Sequence, residues 1–263
     1  MMLGLRSMQV CQPAKGNVYQ PARASARCYA AGNKRHVGIS VGGAGMSAAY
    51  RALNDKQQQY IDVLENKEVD VVVAYGKAGC GKTKLAVEVG IDKLKSGEIN
   101  KIIITRPAVT VDENIGFLPG NIVSKMKPYV IPIYDVFLEH YSMGVFENMM
   151  KNGVVEICPI CYSRGRTFSK AWIVCDEFQN ATDSQMFMML TRIGRGSKMV
   201  ITGDPDQHDR GYEYSGLVDL VVKLNEKSHD RIKIVEFGEG DIERHRIIPF
   251  VVDLYKGVDS KSV

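Results

Sequence analysis

Residues 71–83 read Val-Val-Val-Ala-Tyr-Gly-Lys-Ala-Gly-Cys-Gly-Lys-Thr, and the fold class can be inferred from these thirteen residues. Its first three residues are apolar on successive positions, which is typical of a strand that is covered on both faces of a sheet. The eight residues from Gly76 to Thr83 match the pattern G-x-x-x-x-G-K-[ST], and a helical pattern runs from Thr83 to Lys95. A buried strand, a glycine-rich loop and a helix in this order predict a phosphate-binding loop in an α/β domain.

The loop residues have separate chemical tasks. Glycines let the backbone N–H groups curl around phosphate oxygens, and the helix that follows directs the positive end of its dipole at them. Lys82 can reach the β and γ phosphates, and the Thr83 hydroxyl can ligate Mg²⁺. We therefore predict that ATP and Mg²⁺ are bound here, by Gly76, Lys77, Ala78, Gly79, Cys80, Gly81, Lys82 and Thr83.

Short apolar runs alternate with helical patterns from residue 53 onwards, as in a parallel sheet with crossover helices. Six runs are predicted to be strands: Val69–Tyr75, Lys101–Thr105, Val154–Cys158, Ala171–Cys175, Lys198–Thr202 and Arg231–Phe237. Ligands of such sheets bind at the carboxyl ends of the strands, and the polar and glycine-rich segments of this chain follow those ends. The sequence thus predicts a mostly parallel sheet, flanked by helices, with a site along one edge.

Two adjacent carboxylates, Asp176 and Glu177, follow the predicted strand Ala171–Cys175. In a nucleotide site the first would hold Mg²⁺, and the second would orient and deprotonate the attacking water. Two neighbouring acids in a loop can equally be a solvated surface. The phosphate loop upstream favours the catalytic interpretation, because the two elements belong to one kind of site.

A third polar segment, Gly203-Asp204-Pro205-Asp206-Gln207, follows the predicted strand Lys198–Thr202. If this strand lies between the strand of the acids and the strand of the phosphate loop, the Gln207 amide can contact both the γ phosphate and the attacking water. The alternative is a simple Gly-Asp-Pro-Asp turn. We favour the role for Gln207 because all three elements occur in one chain.

The net charge of +4 is unevenly distributed along the 263 residues. Residues 1–54 contain seven basic residues and no acidic one, which leaves 27 basic and 30 acidic residues in the rest. Residues 1–50 also lack sustained periodicity, so we predict a disordered basic tail, with a targeting segment or a nucleic-acid arm as alternatives. The folded part is then no general polyanion binder, and a bound strand must meet a local basic patch.

The apolar runs are too short for a membrane-spanning helix, so we expect no membrane association. Six scattered cysteines without a secretory signal indicate a cytoplasmic protein, or an organelle protein if the acid-free segment is a targeting sequence. Cys158 and Cys161 form a C-x-x-C, but no second pair and no suitably spaced histidines complete a zinc site. We therefore expect neither metal binding nor redox chemistry at these cysteines.

Leu53–Gln57, the phosphate loop, Asp176-Glu177 and Gly203–Gln207 resemble the adenine-reading glutamine motif, Walker A, Walker B and motif III of superfamily 1 helicases. A closer resemblance is to the PhoH family. It is carried by Thr105–Val109, Gly116–Gly120, Arg164–Phe168, Asp176–Asn180 and Asp241–Arg246. The resemblance covers about residues 53–257.

The resemblance implies a RecA-type ATPase core, related to helicase motors, in a family regarded as phosphate-starvation-inducible and often linked to RNA metabolism. It assigns adenine to Gln57 and the γ phosphate to Gln207. It assigns the phosphates and the metal to Lys82 and Thr83, and the metal and the water to Asp176 and Glu177.

A ring is expected from the same comparison. Superfamily 1 motors place ATP between two RecA-like domains, and the second domain supplies arginines that stabilise charge on the transferred phosphoryl group. Residues 53–257 make one such domain, so we predict a hexameric ring in which an arginine of one subunit completes the site of the next. Arg244 is the first candidate, with Arg246 beside it and Arg164 and Arg166 as reserves.

The sequence therefore predicts an α/β chain with a RecA-like P-loop NTPase fold, divided into a tail at 1–50 and an ATPase domain at 51–263. The predicted function is Mg²⁺-dependent ATP hydrolysis, coupled to unwinding or to the binding of single-stranded RNA or DNA. The residues predicted to contact nucleic acid are Arg106, Gly116–Gly120, Arg164 and Arg166. One alternative is a nucleotide-gated interaction module with little turnover. Another is a small-molecule kinase, for which no acceptor pocket or lid is identifiable in the sequence.

Overall fold

The computed structural model describes residues 52–107, 122–207, 215–243, 247, 248, 250, 251 and 254, with the backbone alone for 122–130. These residues belong to the compact unit Met46–Val263. The predicted tail at 1–50, the Gly116–Gly120 segment and residues 244–246, which include the candidate arginines, lie outside the described residues.

The described residues form alternating helices and strands. The helices are α1 (Asp55–Glu65), α2 (Lys82–Lys95), α3 (Ile122–His140), α4 (Met143–Lys151), α5 (Asp183–Leu190) and α6 (Gly216–Glu226). The strands are β1 (Val71–Gly76), β2 (Lys101–Thr105), β3 (Val155–Ile157), β4 (Ala171–Cys175), β5 (Lys198–Gly203) and β6 (Ile232–Phe237).

The six strands form one sheet in the order β3-β2-β4-β5-β1-β6, and every neighbouring pair is parallel. The predicted parallel α/β fold is confirmed, and each predicted run overlaps one strand. Two strands, β2 and β4, have the predicted bounds, and the ends of the others differ by at most two residues. At the start of β1, for example, the N–H groups of Asp70 and Val71 both donate to the Arg231 carbonyl, so the regular ladder begins only at Val71.

Successive residues of the central strands face two separate cores. In β1, Val72 and Ala74 pack in the core under α1 to α4, whereas Val71 and Val73 pack in the core under α5 and α6. This two-sided burial explains why the central strands are apolar on consecutive positions. The parallel pairing of β4 with β5 and of β5 with β1 places their carboxyl ends side by side, where the polar segments begin.

Trp172 of β4 positions α2 on the sheet. Its indole Nε1 donates to the carbonyl of Ala86 at 2.9 Å, and its ring lies against the backbone of Gly90. A β-carbon built on Gly90 would lie 2.6 Å from the Trp172 Cδ1 atom, which is far inside van der Waals contact. Because α2 begins in the phosphate loop, this contact also sets the height of the loop above the sheet.

We expect Gly90→Ala to lower the free energy of unfolding by about 1–3 kcal/mol, because the added methyl group overpacks the Trp172 contact. Urea denaturation followed by circular dichroism measures this change. Gly144→Ala in α4 is the matched control, since a β-carbon at that position would meet nothing within 4 Å. That variant should be neutral or gain up to about 1 kcal/mol from helix propensity. Equal stability of the two variants would contradict the proposed fit of α2 against Trp172.

Candidate active site

The phosphate loop joins β1 to α2 and contains two glycines whose backbone conformations other residues rarely adopt. Gly76 has φ +134°, and a β-carbon there would lie 2.1 Å from the carbonyl oxygen of Phe237 at the end of β6. Gly81 caps α2 in the left-handed conformation with φ 81°. A cap without a side chain leaves the first N–H groups of the helix facing the loop, which is the arrangement that binds anions at helix N-termini.

The Lys82 side chain lies folded back across the loop. It is 8% exposed, and its Nζ atom donates to the carbonyl oxygens of Gly76 at 2.6 Å and Lys77 at 2.8 Å. Burial lowers the pKa of the Lys82 ammonium from its usual value. A negatively charged ligand in the loop would therefore meet a cation that has lost part of its hydration and is already aimed into the loop.

Asp176 connects three elements at the carboxyl edge of the sheet. Its Oδ1 atom accepts hydrogen bonds from the Thr83 hydroxyl at 2.6 Å and from the Thr202 hydroxyl at 2.8 Å. Thr83 lies in α2 and Thr202 in β5, while Asp176 follows β4 and is 5% exposed. Hydroxyl and carboxylate oxygens are the protein ligands that suit Mg²⁺, so this donor set fits the predicted metal site.

Glu177 holds a strained backbone conformation. Its φ of 55° and ψ of 38° lie in the left-handed region, which is uncommon for residues other than glycine. Its Oε2 atom accepts a hydrogen bond from the Gln179 amide at 2.6 Å, and its Oε1 atom lies 2.9 Å from Nη2 of Arg106. Such strain is typical of functional sites, where surrounding contacts hold a side chain in one direction.

The turn after β5 lies between the acids and the phosphate loop, because β5 separates β4 from β1 in the sheet. The Asp204 carboxylate accepts from the Ala78 N–H of the loop at 2.9 Å and is 5% exposed. The exposed Gln207 lines the same cavity as Lys82, Thr83 and Glu177. The strand order on which the role of Gln207 depends is thus present.

Gln179 and Asp204 receive no role from the sequence, although both lie in the polar segments that follow β4 and β5. Gln179 is 2% exposed and ties the site together. Its amide nitrogen donates to Glu177 and, at 3.2 Å, to the Gln207 carbonyl, while its amide oxygen accepts from the Asp204 N–H at 3.2 Å. Their position in the sequence could have indicated a role, since both residues come within a few residues of the end of a buried strand.

A second cavity lies on the other side of the phosphate loop, and Gln57 is part of its lining. The Gln57 side chain is 3% exposed. Its Nε2 atom donates to the Cys80 carbonyl at 3.2 Å, and its Oε1 atom accepts from the Leu53 N–H. Glu243 also lines this cavity, and its N–H donates to the Gly79 carbonyl at 3.1 Å. The predicted adenine contact of Gln57 stays a prediction.

The arginines predicted to meet nucleic acid have different surroundings. Arg106 is paired with Glu177 and lies 3.7 Å from Asp176. Arg166 forms a two-point ion pair with Glu156, with one contact at 2.9 Å, and its guanidinium lies over the Phe168 ring. This pairing lowers the pKa of the Glu156 carboxyl. Arg164 is exposed.

Cys158 is buried and Cys161 is exposed. The Cys158 thiol lies 3.4 Å from the Ser163 hydroxyl, and burial raises the pKa of this thiol. Within the described ranges, no group of three or more His, Cys, Asp or Glu residues is arranged to hold a metal ion. Among the described helices, none combines the length and the apolar character needed to cross a bilayer.

A family model described as PhoH-like protein matches residues 49–256. This chain belongs to the PhoH-like protein family. The PhoH-like protein of Bacillus subtilis (strain 168) is 43% identical over 201 residues, which are 76% of this chain and 61% of that protein. Protein PhoH of Escherichia coli (strain K12) is 37% identical over 208 residues, 78% of this chain and 57% of that protein. The resemblance to the PhoH family is confirmed.

This PhoH-like chain spans about three fifths of the length of these relatives. Among solved structures, the large terminase from a thermophilic bacteriophage is similar with a TM-score of 0.49. The sequence identity is 12%, and the match covers 78% of this chain and 50% of that one. A likeness of this size does not bear on function.

Proposed function

We propose that this PhoH-like chain binds ATP with Mg²⁺ and hydrolyses it. The observation that carries the proposal is the convergence of Lys82, Thr83, Asp176, Glu177 and Gln207 on one cavity at the carboxyl edge of the sheet. Open parallel sheets bind ligands at this edge. The residue types are those that phosphoryl transfer requires: N–H groups and a cation for phosphate, oxygen ligands for a metal, and a carboxylate for water.

The triphosphate binds along the loop between β1 and α2. The loop N–H groups and the N-terminus of α2 receive phosphate oxygens. Lys82 exchanges the carbonyl oxygens of Gly76 and Lys77 for oxygens of the β and γ phosphates. This exchange favours the charged ammonium that burial alone disfavours. Gln57 and the cavity beside it are available to the base.

Thr83 and Asp176 would hold Mg²⁺, which supplies neutralising charge at the β and γ phosphate oxygens when it is bound. Thr202 donates to the same Asp176 oxygen and so keeps this carboxylate directed at the loop. The direct Thr83–Asp176 hydrogen bond shows that the two side chains are within reach of one small ligand.

Glu177 acts as the general base. A water oxygen attacks the γ phosphorus while the bond to the β–γ bridging oxygen breaks, and ADP leaves with that electron pair. The water proton passes to the Glu177 carboxylate. The Gln207 amide orients the water and the γ phosphate, and Gln179 is a positioning residue because it fixes the Glu177 carboxylate from behind.

The alternative of a nucleotide-gated module with little turnover also has a specific observation in its favour. Both carboxylate oxygens of Glu177 already have partners, one from Gln179 and one from Arg106. A carboxylate engaged at both oxygens is less accessible to a water molecule until a partner leaves. The measured rate of ATP hydrolysis therefore distinguishes an enzyme from a slow switch.

We expect Lys82→Ala to weaken ATP binding, since the variant loses the buried cation of the loop. Glu177→Gln should keep ATP binding and lose turnover by about a hundredfold or more, as is typical when a positioned base is removed. Phosphate release and the affinity of a fluorescent ATP analogue measure the two effects. Glu226→Gln, an exposed site at the end of α6, is the matched control and should behave as the unaltered chain does. If Glu177→Gln hydrolysed ATP at the rate of the unaltered chain, Glu177 would not be the general base.

We further propose that the edge carrying Arg106 binds single-stranded RNA or DNA through backbone phosphates. Arg106 and the exposed Arg164 are the described candidates, and the Gly116–Gly120 segment lies outside the described residues. Arg166 is held by a two-point ion pair with Glu156 and lies over the Phe168 ring, so we expect it to exchange partners less readily than Arg106 does. Phosphate contacts of this kind are sequence-tolerant and salt-sensitive.

The last part of the proposal is a hexameric ring in which Arg244 completes the site of a neighbouring subunit. A trans arginine accelerates related phosphoryl transfers by about three to five orders of magnitude. Glu243 precedes Arg244 and contacts the phosphate loop of its own subunit through the Gly79 carbonyl. Action within the same subunit is therefore the alternative to be tested.

Mixing Arg244→Ala subunits with Lys82→Ala subunits distinguishes the two cases. If Arg244 acts in trans, mixed rings contain sites with an intact loop and an intact neighbouring arginine, so ATPase activity should partly return. If it acts in cis, the mixture should stay as inactive as its components. The mass of the particle is measured in the presence of ATP and Mg²⁺ to determine the number of subunits. A monomer whose specific activity is full and independent of concentration would rule out the ring.

A further inference from the structure

Arg106 reaches the site from the side opposite to the phosphate loop. It follows β2, and three strand spacings separate β2 from β1 in the order β2-β4-β5-β1, which is roughly 14 Å. Its guanidinium nevertheless contacts the proposed base, with Nη2 at 2.9 Å from Oε1 of Glu177, and its Nε lies 3.7 Å from the Asp176 carboxylate. The side chain thus connects the edge of the sheet beside β2 with the reaction centre.

This contact restrains Glu177. The Gln179 amide holds Oε2 of Glu177 from one side, and Arg106 holds Oε1 from the other. A guanidinium at hydrogen-bond distance engages the carboxylate oxygen it faces, so that oxygen is not available to a water at the γ phosphate until Arg106 leaves. Removal of Arg106 alone would free one oxygen while Gln179 still directs the side chain.

We propose that Arg106 couples nucleic acid to hydrolysis: a backbone phosphate of a bound single strand takes the guanidinium from Glu177 and releases the base. The inference rests on the proposed ATPase and names the regulation of that same site. In the absence of the strand the Arg106–Glu177 pair keeps hydrolysis slow, and in its presence the pair is exchanged for an Arg106–phosphate pair.

A phosphodiester is a suitable competitor for this arginine. The planar guanidinium binds phosphate by two parallel hydrogen bonds, and it needs less desolvation than an ammonium would. The Arg106 side chain is 21% exposed, and that of Glu177 is 36% exposed, so the pair is accessible from solvent rather than sealed in the core. The buried Pro107 follows directly and anchors the backbone while the side chain exchanges partners.

The exchange works in both directions. If a strand must displace Glu177 to reach Arg106, then loss of the Glu177 charge removes a competitor and raises the affinity for the strand. Coupling between two sites of one protein is typically about 5- to 150-fold, and we expect the stimulation of hydrolysis and the change of affinity within that range. The affinity arm needs no hydrolysis and therefore tests the coupling independently of the ATPase.

The experiment compares the full chain with Arg106→Ala, Arg106→Lys and Arg231→Ala. Steady-state phosphate release is measured alone, with a single-stranded oligoribonucleotide or oligodeoxyribonucleotide, and with inorganic phosphate at the same phosphate content. The unaltered chain should be stimulated by an oligonucleotide and not by inorganic phosphate. Arg106→Ala should be fast without the strand and gain nothing from it. Arg106→Lys, which keeps the charge but not the two-point contact, should have an intermediate basal rate and keep part of the stimulation.

Arg231→Ala is the matched control. Arg231 forms an ion pair with Asp70 at the opposite end of the strands, with Nη2 at 2.9 Å from Oδ1, so the change of charge is the same without contact to the site. It should hydrolyse ATP and respond to the strand as the unaltered chain does. Unfolding midpoints and fluorescent nucleotide affinity confirm that Arg106→Ala folds and binds nucleotide.

Oligonucleotide binding by fluorescence anisotropy gives the second readout. Glu177→Gln should bind the strand more tightly than the unaltered chain does, and Arg106→Ala more weakly. Loss of hydrolysis in Arg106→Ala with and without the strand would overturn the coupling, since Arg106 would then act on the nucleotide itself. Equal strand affinities in the three proteins, or stimulation that survives in Arg106→Ala, would overturn it as well. Absence of hydrolysis in the unaltered chain, in Arg106→Ala and in Lys82→Ala alike contradicts the ATPase, while the two affinity changes would still support the Arg106 exchange.

Discussion

The architecture of the site depends on one carboxylate oxygen. Oδ1 of Asp176 accepts hydrogen bonds from Thr83 in α2 and from Thr202 in β5, while its own residue follows β4. Three elements that are distant in the chain therefore meet at one atom. A buried carboxylate is tolerated only when its hydrogen bonds are satisfied, so these contacts constrain how the helix and the two strands can be arranged.

The remaining contacts extend this arrangement to a continuous polar network. Asp204 links the β5 turn to the N–H of Ala78, and Gln179 links that turn to Glu177. Since Gln179 is nearly inaccessible to solvent and uses both ends of its amide, its removal would leave partners unpaired in a low-dielectric environment. The contacts of Gln179 and Arg106 with Glu177 also help to hold its backbone in the left-handed conformation.

The sequence predicts the fold closely because its strands are short, apolar and separated by helical patterns. The identity and the approximate bounds of all six strands follow from periodicity. The pairing of Arg106 with Glu177 and of Arg166 with Glu156 does not, because it depends on strand order and side-chain direction. Gln179 was missed for a related reason, since a glutamine two residues after an acid looks like surface until the β5 turn is placed beside it.

The effect of Mg²⁺ on nucleotide affinity tests the proposed role of Asp176 in the site. A fluorescent ATP analogue is titrated with Mg²⁺ and with a chelator, for the unaltered chain, for Asp176→Asn and, as a control, for Asp219→Asn in α6, whose carboxylate pairs with Lys223. We expect Mg²⁺ to tighten nucleotide binding to the unaltered chain and to the control. Asp176→Asn, which still accepts from Thr83 and Thr202, should lose this increment and keep metal-free binding. A Mg²⁺ effect that persists undiminished in Asp176→Asn, or that is absent from the unaltered chain, would contradict this role.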